Sequence, residues 1–182
     1  CQNWNISHPR DDSALAGSVT PEAVAELAVQ KGCASASFTY NEPIVSFEFT
    51  REVARACRAR GLRTVAVTAG YIEPEPRREF FGWMDAANVD LKSFRDDFYR
   101  RLCGARLQPV LDTLSYLRRE TPCWLEVTTL LIPGENDEPS ELEALARWCF
   151  EHLGPDTPMH FSAFYPQHRM RDRPPTPPAL LR

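Results

Sequence analysis

Apolar, β-branched runs of strand length alternate along this chain with amphipathic stretches of helix length, and no other feature narrows the fold as much. Thr20-Pro21-Glu22 starts a helix. Thr suits the cap, Pro the first turn, where its missing amide donor costs nothing, and an acid the positive end of the helix dipole. Gly32 ends that helix at about residue 31. Ala34 to Thr39 reads as a buried strand, Tyr40-Asn41-Glu42-Pro43 as its polar turn, and a helix then runs to Gly61. Arg63 to Thr68 is the next strand, Ala69-Gly70 its exit turn, and Glu75 to Trp83 a short helix. Ala87 to Leu91 is a third strand, followed by helical Arg95 to Leu102 and Pro109 to Glu120. Cys123 to Ile132 is a fourth strand, Pro133 to Asp137 its turn, Glu138 to Leu153 a helix, and Met159 to Phe164 a fifth strand. This alternation predicts an α/β protein: a parallel sheet with right-handed crossovers, open or closed into a barrel. Pro174-Pro175-Thr176-Pro177-Pro178 breaks the pattern and reads as an extended stretch.

Composition removes several functions. A net charge of -4 argues against a phosphate-binding surface, so no nucleic-acid partner is expected. The 6 cysteines form no Cys-x-x-Cys pair in a chain too long and too apolar to need disulfide staples, which points to a reducing, cytoplasmic setting. Cys33, Cys57, Cys123 and Cys149 lie in or beside apolar patterns and read as small buried hydrophobes. No apolar run approaches the roughly 20 residues a membrane span needs, so no membrane association is expected. A phosphate-cradling glycine loop, a Gly-x-Ser-x-Gly elbow and His-Glu-x-x-His spacing are all missing; His8, His152, His160 and His168 read as solvated or hydrogen-bonded histidines.

In parallel sheets and barrels the functional edge is the one where strands end, because the loops beyond it are free to carry polar groups. Here those exits deliver Asn41 and Glu42, then Thr68, then Asp90 and Lys92, then Asn136 and Asp137, then Ser162 and Tyr165, with Thr128 and Thr129 inside the fourth strand. Basic residues are otherwise almost all arginine, only Lys31 and Lys92 being lysines, so a lysine at a strand exit stands out. Thr68, Thr128 and Ser162 read as supporting residues. The residues alone leave thiol, lysine and cluster chemistry open. Cys1 could serve as an N-terminal nucleophile, although hydrolases of that kind are built on stacked antiparallel sheets. Lys92 beside Asp90 suits a Schiff-base lyase, and a noncatalytic binding module is the third option.

Taken in order, Cys1-Gln2-Asn3-Trp4, Tyr40-Asn41-Glu42-Pro43, Asn88-Val89-Asp90-Leu91-Lys92 and Ile132-Pro133-Gly134 resemble radical S-adenosylmethionine (SAM) enzymes related to pyruvate formate-lyase activating enzyme. Phe98 to Gly104, Trp124 to Asp137, and His168-Arg169-Met170 running into the prolines look more narrowly like the AmmeMemoRadiSam system radical SAM enzymes. The resemblance implies a partial, TIM-like (βα)6 barrel. Residues 1–173 would be its core, with the first strand and most of the cluster loop lying outside this sequence, and residues 174–182 a tail leading to a further region. It also implies two cofactors, a [4Fe-4S] cluster and SAM. Cys1 matches the last cysteine of a Cys-x-x-x-Cys-x-x-Cys loop whose three thiolates hold the cluster and leave one iron open to SAM; one such cysteine does not suffice.

The same resemblance places Asn41 and Glu42 at the SAM amino group, Asp90 and Lys92 along the SAM site with Lys92 facing the methionyl carboxylate, Gln2 and Asn3 beside the cluster and adenosine, and Ile132 near the adenine. Two positions depart from relatives: Ala69, where Asn is frequent, and Tyr165, where activating enzymes place a SAM-contacting His. The implied activity is reductive cleavage of SAM to a 5′-deoxyadenosyl radical that abstracts hydrogen from a substrate. Activation of a glycyl-radical enzyme is one alternative. The implied partners are a reductant such as flavodoxin or ferredoxin and a substrate that stays unnamed, a protein among the options.

Overall fold

The computed structural model describes residues 19–181, so Cys1, Gln2 and Asn3 lie outside the described residues. Five strands, β1 (Ser35–Phe38), β2 (Arg63–Thr68), β3 (Ala86–Asp90), β4 (Trp124–Leu131) and β5 (Met159–Ala163), form one parallel sheet in sequential order. Such an order never reverses, so each crossover steps the same way. That is the wall of a barrel and not a doubly wound sheet. The connections are α1 (Pro21–Gln30) ahead of β1, α2 (Phe47–Arg58), α3 (Pro74–Gly82), a short α4 (Asp96–Phe98) running into a π-helical turn at Tyr99–Cys103, α5 (Gln108–Glu120) and α6 (Pro139–Leu153).

Local chemistry accounts for the element ends. The Thr20 hydroxyl accepts from the Ala23 amide at 3.2 Å and caps α1. In place of the expected single helix over Arg95 to Leu102, one α turn widens into a π turn that ends at Gly104 with φ 63 and so turns the chain toward α5.

Consecutive residues point to opposite faces of a strand. The helix-covered face carries Ala66, Ala87, Val89, Leu125 and Val127, all buried, against Leu114 and Leu117 of α5 and Leu145 and Cys149 of α6. Each buried Leu or Val there contributes roughly 1.5–3 kcal/mol. The opposite, inner face carries Val65, Val67, Asn88, Asp90, Glu126 and Thr128, half-buried, with His160 exposed beside them. A barrel interior built of polar residues is a poor core and a good site.

Three of the four cysteines expected inside, Cys57, Cys123 and Cys149, are buried, with burial pushing the last two thiols up to about 12. Cys33 is a correction: it follows the Gly32 turn, before β1 begins, and is exposed. The proline stretch folds back on the sheet. Thr176 is buried, its hydroxyl donating to the Leu131 carbonyl at 2.6 Å and accepting from the Phe164 amide at 2.7 Å, so it bridges the ends of β4 and β5.

Candidate active site at the carboxyl edge of the sheet

Glu42 leaves the end of β1 and turns its carboxylate toward the end of β2. Oε1 accepts from the Thr68 hydroxyl at 2.5 Å and the Ile44 amide at 3.3 Å, and Oε2 accepts from the Ala69 amide at 2.7 Å. A carboxylate offers about four acceptor positions, so one on Oε2 is left for a ligand. Thr68, read from sequence as a supporting residue, is what orients Glu42. Its own hydroxyl also accepts from the Gly70 amide at 3.0 Å. Gly70 is required here, because φ is 65 and an added Cβ would lie 2.8 Å from Cγ1 of Val89.

Next along the edge, Lys92 Nζ sits 2.7 Å from Asp90 Oδ2, both side chains about one-third exposed. One of the three ammonium hydrogens is thereby used and two are free. The Lys92 backbone is held from both sides: its amide donates to the Tyr99 hydroxyl at 3.0 Å, and its carbonyl accepts from Asn136 Nδ2 at 2.6 Å. Buried Glu141, on α6, clamps the following residues by accepting from the Ser93 hydroxyl and from the Phe94 amide at 2.9 Å, and it pairs with Arg95 at 2.9 Å. An ammonium paired with Asp90 thus stands on a fixed backbone.

Asn136 is 1% exposed and does more than the turn residue read from sequence. Besides the Lys92 carbonyl it donates to the Leu130 carbonyl at 2.9 Å and accepts from the Ile132 amide at 2.7 Å. It therefore joins the exit of β3 to that of β4, where Ile132 is buried. Its neighbour Glu135 is buried beneath Arg101, at 2.5 Å, and Arg173. The hydrogen bond from Arg101 is the main reason its carboxyl lies below the usual carboxylate range, with burial opposing and Arg173 and Arg95 assisting.

Asn41 and Tyr165, the remaining site residues expected from sequence, are both exposed at the same edge. Cys103 is a residue the sequence reading left without a role. Burial raises its thiol, Lys92 lowers it and Asp90 raises it again, so the thiol stands within electrostatic reach of that pair. No group of three His, Cys, Asp or Glu suited to a metal occurs among the described residues, and no helix among them is long and apolar enough to cross a membrane.

A sequential parallel sheet with an acceptor at one strand exit and a carboxylate-paired ammonium two strands along defines a TIM-barrel-like α/β enzyme scaffold with its polar groups at the carboxyl edge. The chain belongs to the radical SAM superfamily, whose family model matches residues 1–149. It is similar to the uncharacterized protein MJ0808 of Methanocaldococcus jannaschii, 40% identical over 177 residues that make up 97% of this chain and 52% of that protein. It is also similar to pyruvate formate-lyase 1-activating enzyme of Escherichia coli K12, 26% identical over 114 residues covering 59% of this chain and 44% of the relative. The chain thus spans about half the length of the curated relatives it matches. In three dimensions it resembles a domain of pyruvate-formate lyase-activating enzyme from Bacteroides vulgatus, with TM-score 0.66 at 17% identity, covering 81% of this chain and 88% of that one. The expected parallel α/β architecture and the relation to activating enzymes are both borne out.

Proposed function

We propose that this chain is the SAM-binding core of a radical SAM enzyme. The observation that carries the reading is the complementary pair of free valences on the carboxyl edge. Glu42 keeps one acceptor position, suited to the SAM ammonium, and Lys92 keeps two donors, suited to the methionyl carboxylate. β1 and β3 flank β2, so their backbones are about 10 Å apart. Asp90 holds the Lys92 ammonium in place, and the exit of β4 at Ile132, whose own side chain is buried, would stand beside the adenine. Asn41 and Tyr165 would line the rim, and Cys1, Gln2 and Asn3 the cluster side.

When bound, a [4Fe-4S] cluster and SAM supply one-electron cleavage of a carbon–sulfur bond and, from it, hydrogen-atom abstraction from the substrate. The chain's own residues bind and orient: Thr68 and the Ala69 amide aim Glu42, and Asn136 and Tyr99 fix the Lys92 backbone. A reductant such as flavodoxin or ferredoxin would supply the electron. Relatives named as activating enzymes favour a macromolecular substrate, and glycyl-radical installation is the alternative within the superfamily.

The test is anaerobic reconstitution of the full-length protein with iron and sulfide, followed by dithionite reduction with SAM. The expected result is about four irons per chain and 5′-deoxyadenosine, with a Lys92→Met variant keeping its iron but binding S-adenosylhomocysteine at least about tenfold more weakly. Full iron loading without 5′-deoxyadenosine, or unchanged nucleoside binding in Lys92→Met, would overturn it.

A further inference from the structure

The inner face of β4 and β5 carries a polar cluster that SAM binding at the strand ends does not use. Glu126 lies at its centre. Its Oε1 accepts from the Trp124 indole N–H at 3.0 Å, and its Oε2 lies 2.8 Å from Nε2 of His160. Those two hydrogen bonds, the Trp124 one first, hold the Glu126 carboxyl below its usual range against the opposing effect of burial, and the Asn88 side-chain amide adds a smaller contribution. Asn88 pairs in register with Glu126 across β3 and β4, so its side chain is on the same face.

The chemistry of the cluster follows from which atoms are spent. An ionised carboxylate only accepts, so His160 must donate from Nε2. Asn88, donating from its nitrogen, leaves its oxygen outward. Glu126 thus takes the indole N–H, the imidazole Nε2–H and one of the two Asn88 amide hydrogens. What remains outward includes the Asn88 oxygen and the spare acceptor positions of Glu126, one-third exposed. The Trp124 ring, 56% exposed, flanks them. A carboxylate with spare acceptor positions beside an open aromatic face favours a cationic donor over an anion.

We infer that this face binds a cationic nitrogen of the substrate, an ammonium or guanidinium group, between Trp124, Glu126 and His160. The inference rests on the proposed function for its meaning, because the site becomes a substrate site only if SAM occupies the strand ends. The register supports that geometry. Asp90, Thr128 and His160 form one row across β3, β4 and β5, which puts His160 about 10 Å from the Asp90–Lys92 pair. The Thr128 hydroxyl, between them, has no hydrogen-bond partner among the described residues. Glu126, opposite Asn88, lies one strand from Asp90 and one side-chain row toward the amino end, so a ligand held there lies beneath the Asp90–Lys92 pair on the same face.

The test uses Trp124 as the reporter in the full-length protein, without cluster or SAM. L-Argininamide and L-lysinamide are titrated against their uncharged counterparts, L-citrullinamide and Nε-acetyl-L-lysinamide, while tryptophan fluorescence is followed. The expected result is a saturable change with the cationic pair only, abolished in Trp124→Phe. Glu126→Gln is expected to weaken it by about tenfold or more, and His160→Gln, which leaves the carboxylate in place, serves as the second variant with a smaller loss. Equal binding of the uncharged pair, undiminished binding in both variants, or no saturable change from Trp124 would overturn the inference. The 5′-deoxyadenosine assay on the same preparations separates the two readings: SAM cleavage without cation binding removes only this one, and cation binding without SAM cleavage removes only the other.

Discussion

Asn136 donates an amide hydrogen to the carbonyl of Lys92 at 2.6 Å, across 44 residues of chain. With its two contacts to Leu130 and Ile132 it makes one residue responsible for the spacing of two strand exits. Replacing Asn136 by Ala leaves two carbonyls and one amide without their partner in a buried place, at about 1–3 kcal/mol for each unmet group and less than additively. The expected loss is about 2–4 kcal/mol, read from urea unfolding. Asn136→Asp is expected to be no better, because a carboxylate oxygen would face both carbonyls; stability within about 0.5 kcal/mol of the parent in either variant would show that the loop is held by other means.

Gly70 tests the same edge from the side of β2. Its positive φ and its closeness to Val89 act together. Gly70→Ala is expected to cost about 2–4 kcal/mol, combining left-handed strain with overpacking. Gly61 has φ 74 but nothing within 4 Å of an added Cβ, so Gly61→Ala at the end of α2 is expected to cost about 1 kcal/mol. Similar losses at the two sites would mean that contact with Val89 is relieved by a shift of β3.

Much of this architecture is legible in the sequence, for reasons that particular residues make plain. The strands and their exits are local facts: Val65 and Val67 alternate with Thr64 and Ala66, and Pro21, Gly32 and Gly61 mark helix ends through their own backbone preferences. Glu42, Asp90 and Lys92 are legible because strand exits follow from strands. The hidden relationships all run between strands or between distant loops. His160 in an alternating strand reads as a solvated histidine until β4 puts Glu126 beside it, 34 residues away. Asn136 reads as a turn former, since nothing local announces the Lys92 carbonyl. Thr176 among prolines reads as linker, although it closes the ends of β4 and β5.

Glu135 makes the fold acid-sensitive. Its folded pKa is depressed, chiefly by Arg101, so it stabilises the fold fully above the unfolded carboxyl value of about 4.3 and ceases to do so as pH falls through the lower folded value. The parent is therefore expected to lose more stability between pH 5 and pH 3 than Glu135→Gln, which is less stable at neutral pH but flatter. Parallel loss in both proteins, followed by urea midpoints across that range, would show that Glu135 with its Arg101 and Arg173 partners is not the group responsible.

Glu42 separates holding the fold from holding a ligand. Thr68→Val removes the hydroxyl that orients the carboxylate but leaves the Ala69 amide on Oε2, so the ligand-facing acceptor survives. Glu42→Gln keeps the shape and removes the charge. Both are expected to lose about 1–3 kcal/mol of stability, while S-adenosylhomocysteine affinity falls at least about tenfold only in Glu42→Gln. Equal affinity losses, measured by calorimetry, would make Glu42 a structural residue alone.

Cys103 provides a chemical probe of the Asp90–Lys92 pair that needs no cofactor. Its thiol is raised first by burial, lowered by Lys92 and raised by Asp90. The thiolate is the reactive form, so alkylation at a fixed pH follows its population. Lys92→Met removes the one favourable charge and is expected to slow iodoacetamide labelling of Cys103; Asp90→Asn removes the opposing one and is expected to speed it. Cys33, also exposed and remote from the pair in the sheet, is the internal reference in the same peptide map. Opposite changes at Cys103 with Cys33 constant place the thiol in the field of both charges. Changes that track each other at the two cysteines would instead reflect looser folding, and would separate the π turn carrying Cys103 from the edge where Lys92 acts.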